Sequence, residues 1–172
     1  PLAIRYPEGI RNPGGKIADF VDFSDIAATF LDYAHIPWSE TGMQEISGKS
    51  WRPVLASPTD GRVIAERDHA LLGKERTDVG RPNDWGYPVR AIRTPELFYS
   101  HNYHPERWPA CNPETGYGNC DDGPTKTWIV ENKGLFYDLA FNYRAEEELY
   151  DIVNDPQCLK NLANVPAHAA MK

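Results

Sequence analysis

Three stretches of this 172-residue chain concentrate side chains that do chemistry. Glu66-Arg67-Asp68-His69 sets two carboxylates, a guanidinium and an imidazole side by side. They follow the predicted strand Arg62–Glu66, and strand ends are where α/β enzymes place site residues. His69 is the side chain there that changes charge near neutral pH, although a lone histidine is more often structural. Arg81-Pro82-Asn83-Asp84-Trp85 offers a guanidinium for sulfate or carboxylate, an acid for sugar hydroxyls and a ring for stacking. The competing reading is a loop pinned by Trp85 and an ion pair. His101 through Trp108, with His104 and Arg107 inside it, combines the same residue types. The candidate ligand contacts are therefore His69, Arg67, Arg81, Asp84, His101, His104 and Arg107. Arg90 and Arg93, read as one face of a strand, are expected to brace a sheet rather than bind.

Other chemistries find less support. The three cysteines include no C-x-x-C pair, so a structural zinc site is not expected. Cys111 and Cys120 bracket a loop that a disulfide could close in an oxidising compartment, or both are free thiols. Asp121-Asp122 has the ligand type for a hard cation, but two solvated loop carboxylates are the simpler reading. A formal charge of −7 without any Lys/Arg run excludes nucleic acid and anionic membrane surfaces as general partners. No window approaches the roughly 18 consecutive apolar residues of a membrane span.

The elements that must position these groups follow from periodicity. Leu2–Tyr6 is a short apolar run predicting a buried strand at a cut edge. Phe23, Ile26, Ala27, Phe30, Leu31 and Ala34 form the stripe of an amphipathic helix facing a core, with Asp22 and Asp25 at its start and His35-Ile36-Pro37 at its end. Gly48–Leu55 predicts a short second helix capped by Ser50. Arg67–Trp85 reads as a long polar loop. Pro88–Arg93 and Leu97–Ser100, joined by Thr94-Pro95-Glu96, form a hairpin. His104–Lys126 is again loop. Glu148–Ile152 predicts a further strand, and Asp155-Pro156 the cap and first position of a final helix that the chain end truncates. The 15 prolines and the 14 Trp and Tyr residues predict ordered loops held by aromatic anchors.

In this order the segments resemble the C-terminal part of sulfatases. Pro1–Pro7 followed by Val21–Leu31 looks like the family's strand and its D-x-x-P-T-x-L type helix. Gly48-Lys49-Ser50-Trp51-Arg52-Pro53-Val54-Leu55 is similar to G-x-S-L-x-P-x-L. Glu148-Leu149-Tyr150-Asp151, Asp155-Pro156 and Asn161-Leu162-Ala163 resemble the closing E-L-Y-D, D-P and N-L-A. Tyr87–Arg93 followed by His101-Asn102 looks most like the heparan N-sulfatase branch.

The resemblance implies an α/β, alkaline-phosphatase-like fold with α+β character in isolation. Residues 1–60 would end the catalytic domain, at an edge of the large central sheet. Residues 61–172 would form a C-terminal subdomain with a small antiparallel sheet and a packed helix. It also implies that the parent uses calcium and a formylglycine made in a C/S-x-P-x-R motif, whose hydrated aldehyde attacks sulfur. Cys111-Asn112-Pro113-Glu114-Thr115 starts like that motif but lacks its Ser-Arg continuation, so catalytic residues and metal ligands are expected outside this chain. By similarity His69, with Arg67 beside it, would contact a sulfated sugar. The parent would be periplasmic or secreted, and open strand edges would allow a dimer. The rival readings are a non-catalytic carbohydrate-binding or interaction module, and a phosphoester hydrolase of the same superfamily.

Overall fold

The computed structural model describes residues 2–76 and 81–171. They divide into two compact units, residues 1–70 and 71–172. Residues 61–69 strap onto the first unit. Gly61 donates to Lys16 O and accepts from Ala18 N, and the Asp19 carboxylate takes the Val63 and Ile64 amides at 2.7 Å each. No strand forms over 62–66, because a side chain rather than a neighbouring backbone satisfies those amides.

In the first unit helix α1 (Asp25–Ala34) stands where its periodicity predicts, ending at His35 in the left-handed conformation, φ 57°. Its apolar stripe is only partly turned inward, with Ile26 and Leu31 half-buried. Phe23 and Phe30 are 77% and 70% exposed, Ala27 and Ala34 are exposed, and Asp25 and Thr29 are the buried residues. Asp25 turns inward because four donors converge on it: the amides of Lys49 (2.7 Å) and Asp22 (3.1 Å), the Trp51 indole (2.8 Å) and the Arg67 guanidinium (2.7 Å). Thr29 adds a bond from the Trp51 amide at 2.9 Å. Gly48 permits this approach, since a Cβ there would lie 2.2 Å from Ser24 O. Helix α2 (Arg52–Leu55) follows, with the Ser50 hydroxyl accepting from Arg52 N and donating to Asp32. Leu2–Tyr6 forms no strand, as no described residue pairs with it, and Leu2 and Ile4 are exposed.

The second unit is built on a four-stranded sheet in the order β1 (Ala70–Lys74), β2 (Val89–Arg93), β3 (Leu97–Asn102), β4 (Glu147–Asp151). Strand β1 falls inside the stretch read as loop. The hairpin β2–β3 is as predicted, and Thr94 Oγ1 accepts the Leu97 and Glu96 amides at its turn. In the antiparallel register Arg90 faces His101 while Arg93 faces Phe98, so the two arginines lie on opposite faces: their spacing of three is odd, and only even spacings share a face. Asn161 finishes the outer edge of β4, accepting the Leu149 amide and donating to Glu147 O. Leu149 is fully buried.

Helices α3 (Pro124–Glu131) and α4 (Leu135–Ala140) meet on an aromatic core of Tyr117, Tyr137 and Phe141, with Trp108 and Ile129 packed against it. The two phenol oxygens of Tyr117 and Tyr137 are 2.7 Å apart. Asp155-Pro156 does not open a helix. Asp155 closes a turn by accepting the Lys160 amide, and Cys158 takes φ 54°. Cys111, Cys120 and Cys158 are free thiols, with Cys111 fully buried. Asp122 binds the ammonium of Lys126 at 2.9 Å.

Candidate functional site

The proline- and glycine-rich segments around the sheet are ordered by two arginines that exchange carbonyls. Arg81 donates from Nε and Nη2 to Trp108 O (3.0 and 2.8 Å) and from Nη2 to Pro109 O (2.8 Å). Arg107 donates in return to Gly86 O at 2.8 Å. This clasp joins residues 81–88 to residues 104–109. Arg81 is buried, and its guanidinium lies over the Tyr87 ring, 5.5 Å from the centroid. Its role in the second unit is thus to hold a loop. Tyr87 beneath it is buried, its hydroxyl has no hydrogen-bond partner among the described residues, and burial pushes that phenol up to about 12.

The same clasp positions Asp84, His104 and Arg107, while His101 is carried by β3. Asn83 and Asp84 both have positive φ, 54° and 58°, a doubly left-handed turn that delivers Trp85 half-exposed. Asp84 pairs with Arg76. Arg107 lies over the Trp85 ring at 5.0 Å from the centroid, with its Nε 3.7 Å from Glu106. His104 Nδ1 bonds Glu106 at 2.9 Å. The Glu106 carboxyl is held below the usual range, first by its own backbone amide and then by His104 and Arg107. His101, on β3, sits edge-on to Tyr103 with ring centroids 4.5 Å apart, and its Nε2 is 4.0 Å from Glu146.

Arg67 and His69 belong to the first unit. Arg67 is nearly buried, its side chain 10% exposed, and besides Asp25 it bonds the carbonyls of Phe20 and Lys49. Its fork is committed to holding α1. His69 is exposed and shares a 2.6 Å bond with Asp68, whose pKa that bond chiefly lowers.

One polar centre has no counterpart in the sequence reading. Ser100, Asn102 and Tyr150 all donate to the nearly buried Glu148, at 3.2, 3.2 and 3.0 Å, and Arg144 lies 3.9 Å away. Its signal was the alternation of Ser100 and Asn102 opposite Glu148, visible only once the register is fixed. Among the described residues no three His, Cys, Asp or Glu side chains converge. No described helix is long and apolar enough to cross a membrane.

No family model matches the chain. An ulvan-active sulfatase of Formosa agariphila is 26% identical over 172 residues, covering all of this chain and 30% of that protein. The human N-sulphoglucosamine sulphohydrolase is 26% identical over 180 residues, covering 99% of this chain and 34% of its own length. The chain thus spans about a third of the curated relatives it matches. Among solved structures, BT4656 in complex with its substrate D-glucosamine-2-N,6-O-disulfate shares the fold at a TM-score of 0.60 and 21% identity, over 97% of this chain and 24% of that one.

Proposed function

We propose, on the premise that the chain is sulfatase sequence along its whole length, that it supplies the C-terminal third of a hydrolase removing sulfate from sulfated saccharides of the glycosaminoglycan type. Its share of that work is to wall the substrate pocket. The observation that carries the reading is the extent of the similarity: two sulfatases align with all or nearly all of the chain, yet with only 30% and 34% of themselves. The saccharide class rests on the sulfated glucosamines named for the human relative and for BT4656.

On this reading the formylglycine nucleophile and the calcium lie in the rest of the parent, which is periplasmic or secreted. No step of the reaction is routed through the residues described here. The polar surface of the second unit around Trp85, with His104, Glu106 and Arg107, supplies hydrogen bonds and one fixed cation for an anionic sugar; in the first unit the exposed Asp68–His69 pair is a separate candidate contact. Arg67 and Arg81 act indirectly, since each is spent on carbonyls that hold its own unit together.

The test is sulfate release from glucosamine N-sulfate and from a 6-O-sulfated glucosamine. The 172-residue chain alone should release none, and the matured parent should release it from at least one. Turnover by the isolated chain, or a matured parent inert on every sulfated sugar offered, overturns the reading.

A further inference from the structure

We propose that Trp85 is the stacking platform of a saccharide subsite contained within the second unit, with the Glu106 carboxylate as acceptor for sugar hydroxyls and Arg107 as the charge behind the ring. The sulfated class of sugar rests on the function proposed above; the platform rests on geometry. Tyr103, Trp128 and Phe136 of this unit are exposed as well, at 53%, 54% and 61%; what sets Trp85 apart from them among the described residues is the Arg107 guanidinium over its ring. Trp108 stacks on Tyr143 at 4.2 Å between centroids and meets Tyr117 edge-on, and Tyr117, Tyr137 and Phe141 form the core. Trp85 forms no aromatic pair among the described residues and is 48% exposed.

Its exposure is built. Two consecutive left-handed residues, neither of them glycine, precede it, and such conformations persist only where the surroundings hold them. The carbonyl after it, on Gly86, is fixed by Arg107, and the Tyr87 amide is fixed by Glu75 O at 2.8 Å. Gly86 passes so close to Glu75 that a Cβ would meet its carbonyl at 2.5 Å. An indole held at both ends, half in water and backed by a guanidinium, is pre-ordered for a flat apolar face. The C–H face of a pyranose is such a surface, and its rim of hydroxyls needs acceptors and donors nearby. Glu106, kept ionised by its amide and His104, is the acceptor. Arg107, about a fifth exposed, attracts an N- or O-sulfate on the same ring.

The experiment is a titration of the 172-residue chain with a heparin-derived disaccharide bearing N-sulfated glucosamine, read by NMR at the indole N–H that disappears in Trp85→Phe. Folding of each variant is confirmed from the dispersion of the sheet amides. Saturable movement of the Trp85 indole is expected. Trp85→Ala should weaken binding about tenfold and Trp85→Phe less than threefold, the pattern of a stacking contact. Glu106→Gln, which leaves the ring in place, should weaken it measurably. An affinity unchanged in Trp85→Ala, no binding at all, or an equal response of the indole to inorganic sulfate overturns the platform. A matured parent that hydrolyses no sulfated sugar would sink the proposed function while leaving Trp85-dependent binding to be read independently.

Discussion

Replacing Asp25 by Asn tests whether charge, rather than apolar packing, sets how α1 is seated. The substitution keeps shape but removes the negative charge from a site where a guanidinium, an indole N–H and two backbone amides converge. Arg67 is then left nearly buried without a carboxylate, since its remaining contacts are carbonyls. Breaking a buried pair from one side costs about 3–5 kcal/mol, which multiplies local opening by roughly 10² to a few times 10³. Hydrogen exchange read by peptide mass spectrometry separates this from global unfolding. Residues 22–34 and 48–52 should lose protection by that factor, while residues 97–102 and 147–151, in the other unit, keep theirs. Arg67→Met should cost less, because Asp25 retains three donors and is free to take up a proton. Protection of 22–34 within threefold of the parent chain would refute the reasoning, as would an equal loss in the sheet.

Three further outcomes follow from the same structure. Burial alone would raise the Asp25 pKa, but its hydrogen bonds, from the Lys49 amide and Arg67 foremost, outweigh that and lower it below 3.8. Its contribution is therefore complete above about pH 4 and lost as pH falls through the lower folded value; protection at 22–34, referred to the slower intrinsic exchange in acid, should fall as pH drops, and Asp25→Asn should flatten that limb. Asn161→Ala removes the side chain that accepts the Leu149 amide and donates to Glu147 O at the edge of β4, and should destabilise the sheet by about 1–3 kcal/mol in urea titration. In the native chain iodoacetamide should alkylate exposed Cys120 well before buried Cys111, as read by peptide mapping; resistance of Cys120 together with a mass two protons short would show the disulfide that this structure lacks.

What the sequence revealed divides along the range of the interactions. The hairpin was legible because alternation and the turn residue Thr94 act within a few positions of one another. Helix α1 was legible as a helix, but its rotation was not. Periodicity says which side is apolar; the donors that turn the other side inward come from residues 49, 51 and 67, and no local pattern ties them to Asp25. Strand β1 was missed because Ala70-Leu71-Leu72-Gly73-Lys74 is brief and set among charges, so its neighbour β2 defines it. The Asp155-Pro156 signal was sound chemistry for a cap, overruled by the left-handed turn at Cys158. In the site, residue types were legible and their partners were not. Arg81 looked like a free fork for an anion, and only the fold shows it closing on the Trp108 and Pro109 carbonyls. Trp85 read equally as a stacking ring or as a pin for its loop, and it stands half-exposed.

The seating of α1 has an energetic corollary. A phenylalanine moved from water into a packed interior gains roughly 1.5–3 kcal/mol; Phe23 and Phe30 forgo most of that where they stand. The helix is locked in orientation first, by ionic and hydrogen-bonding contacts that do not involve this stripe. Any hydrophobic surface laid over it would thus meet a ligand already rigid, losing little entropy on contact, and the affinity so released would be steeply dependent on temperature and almost indifferent to salt.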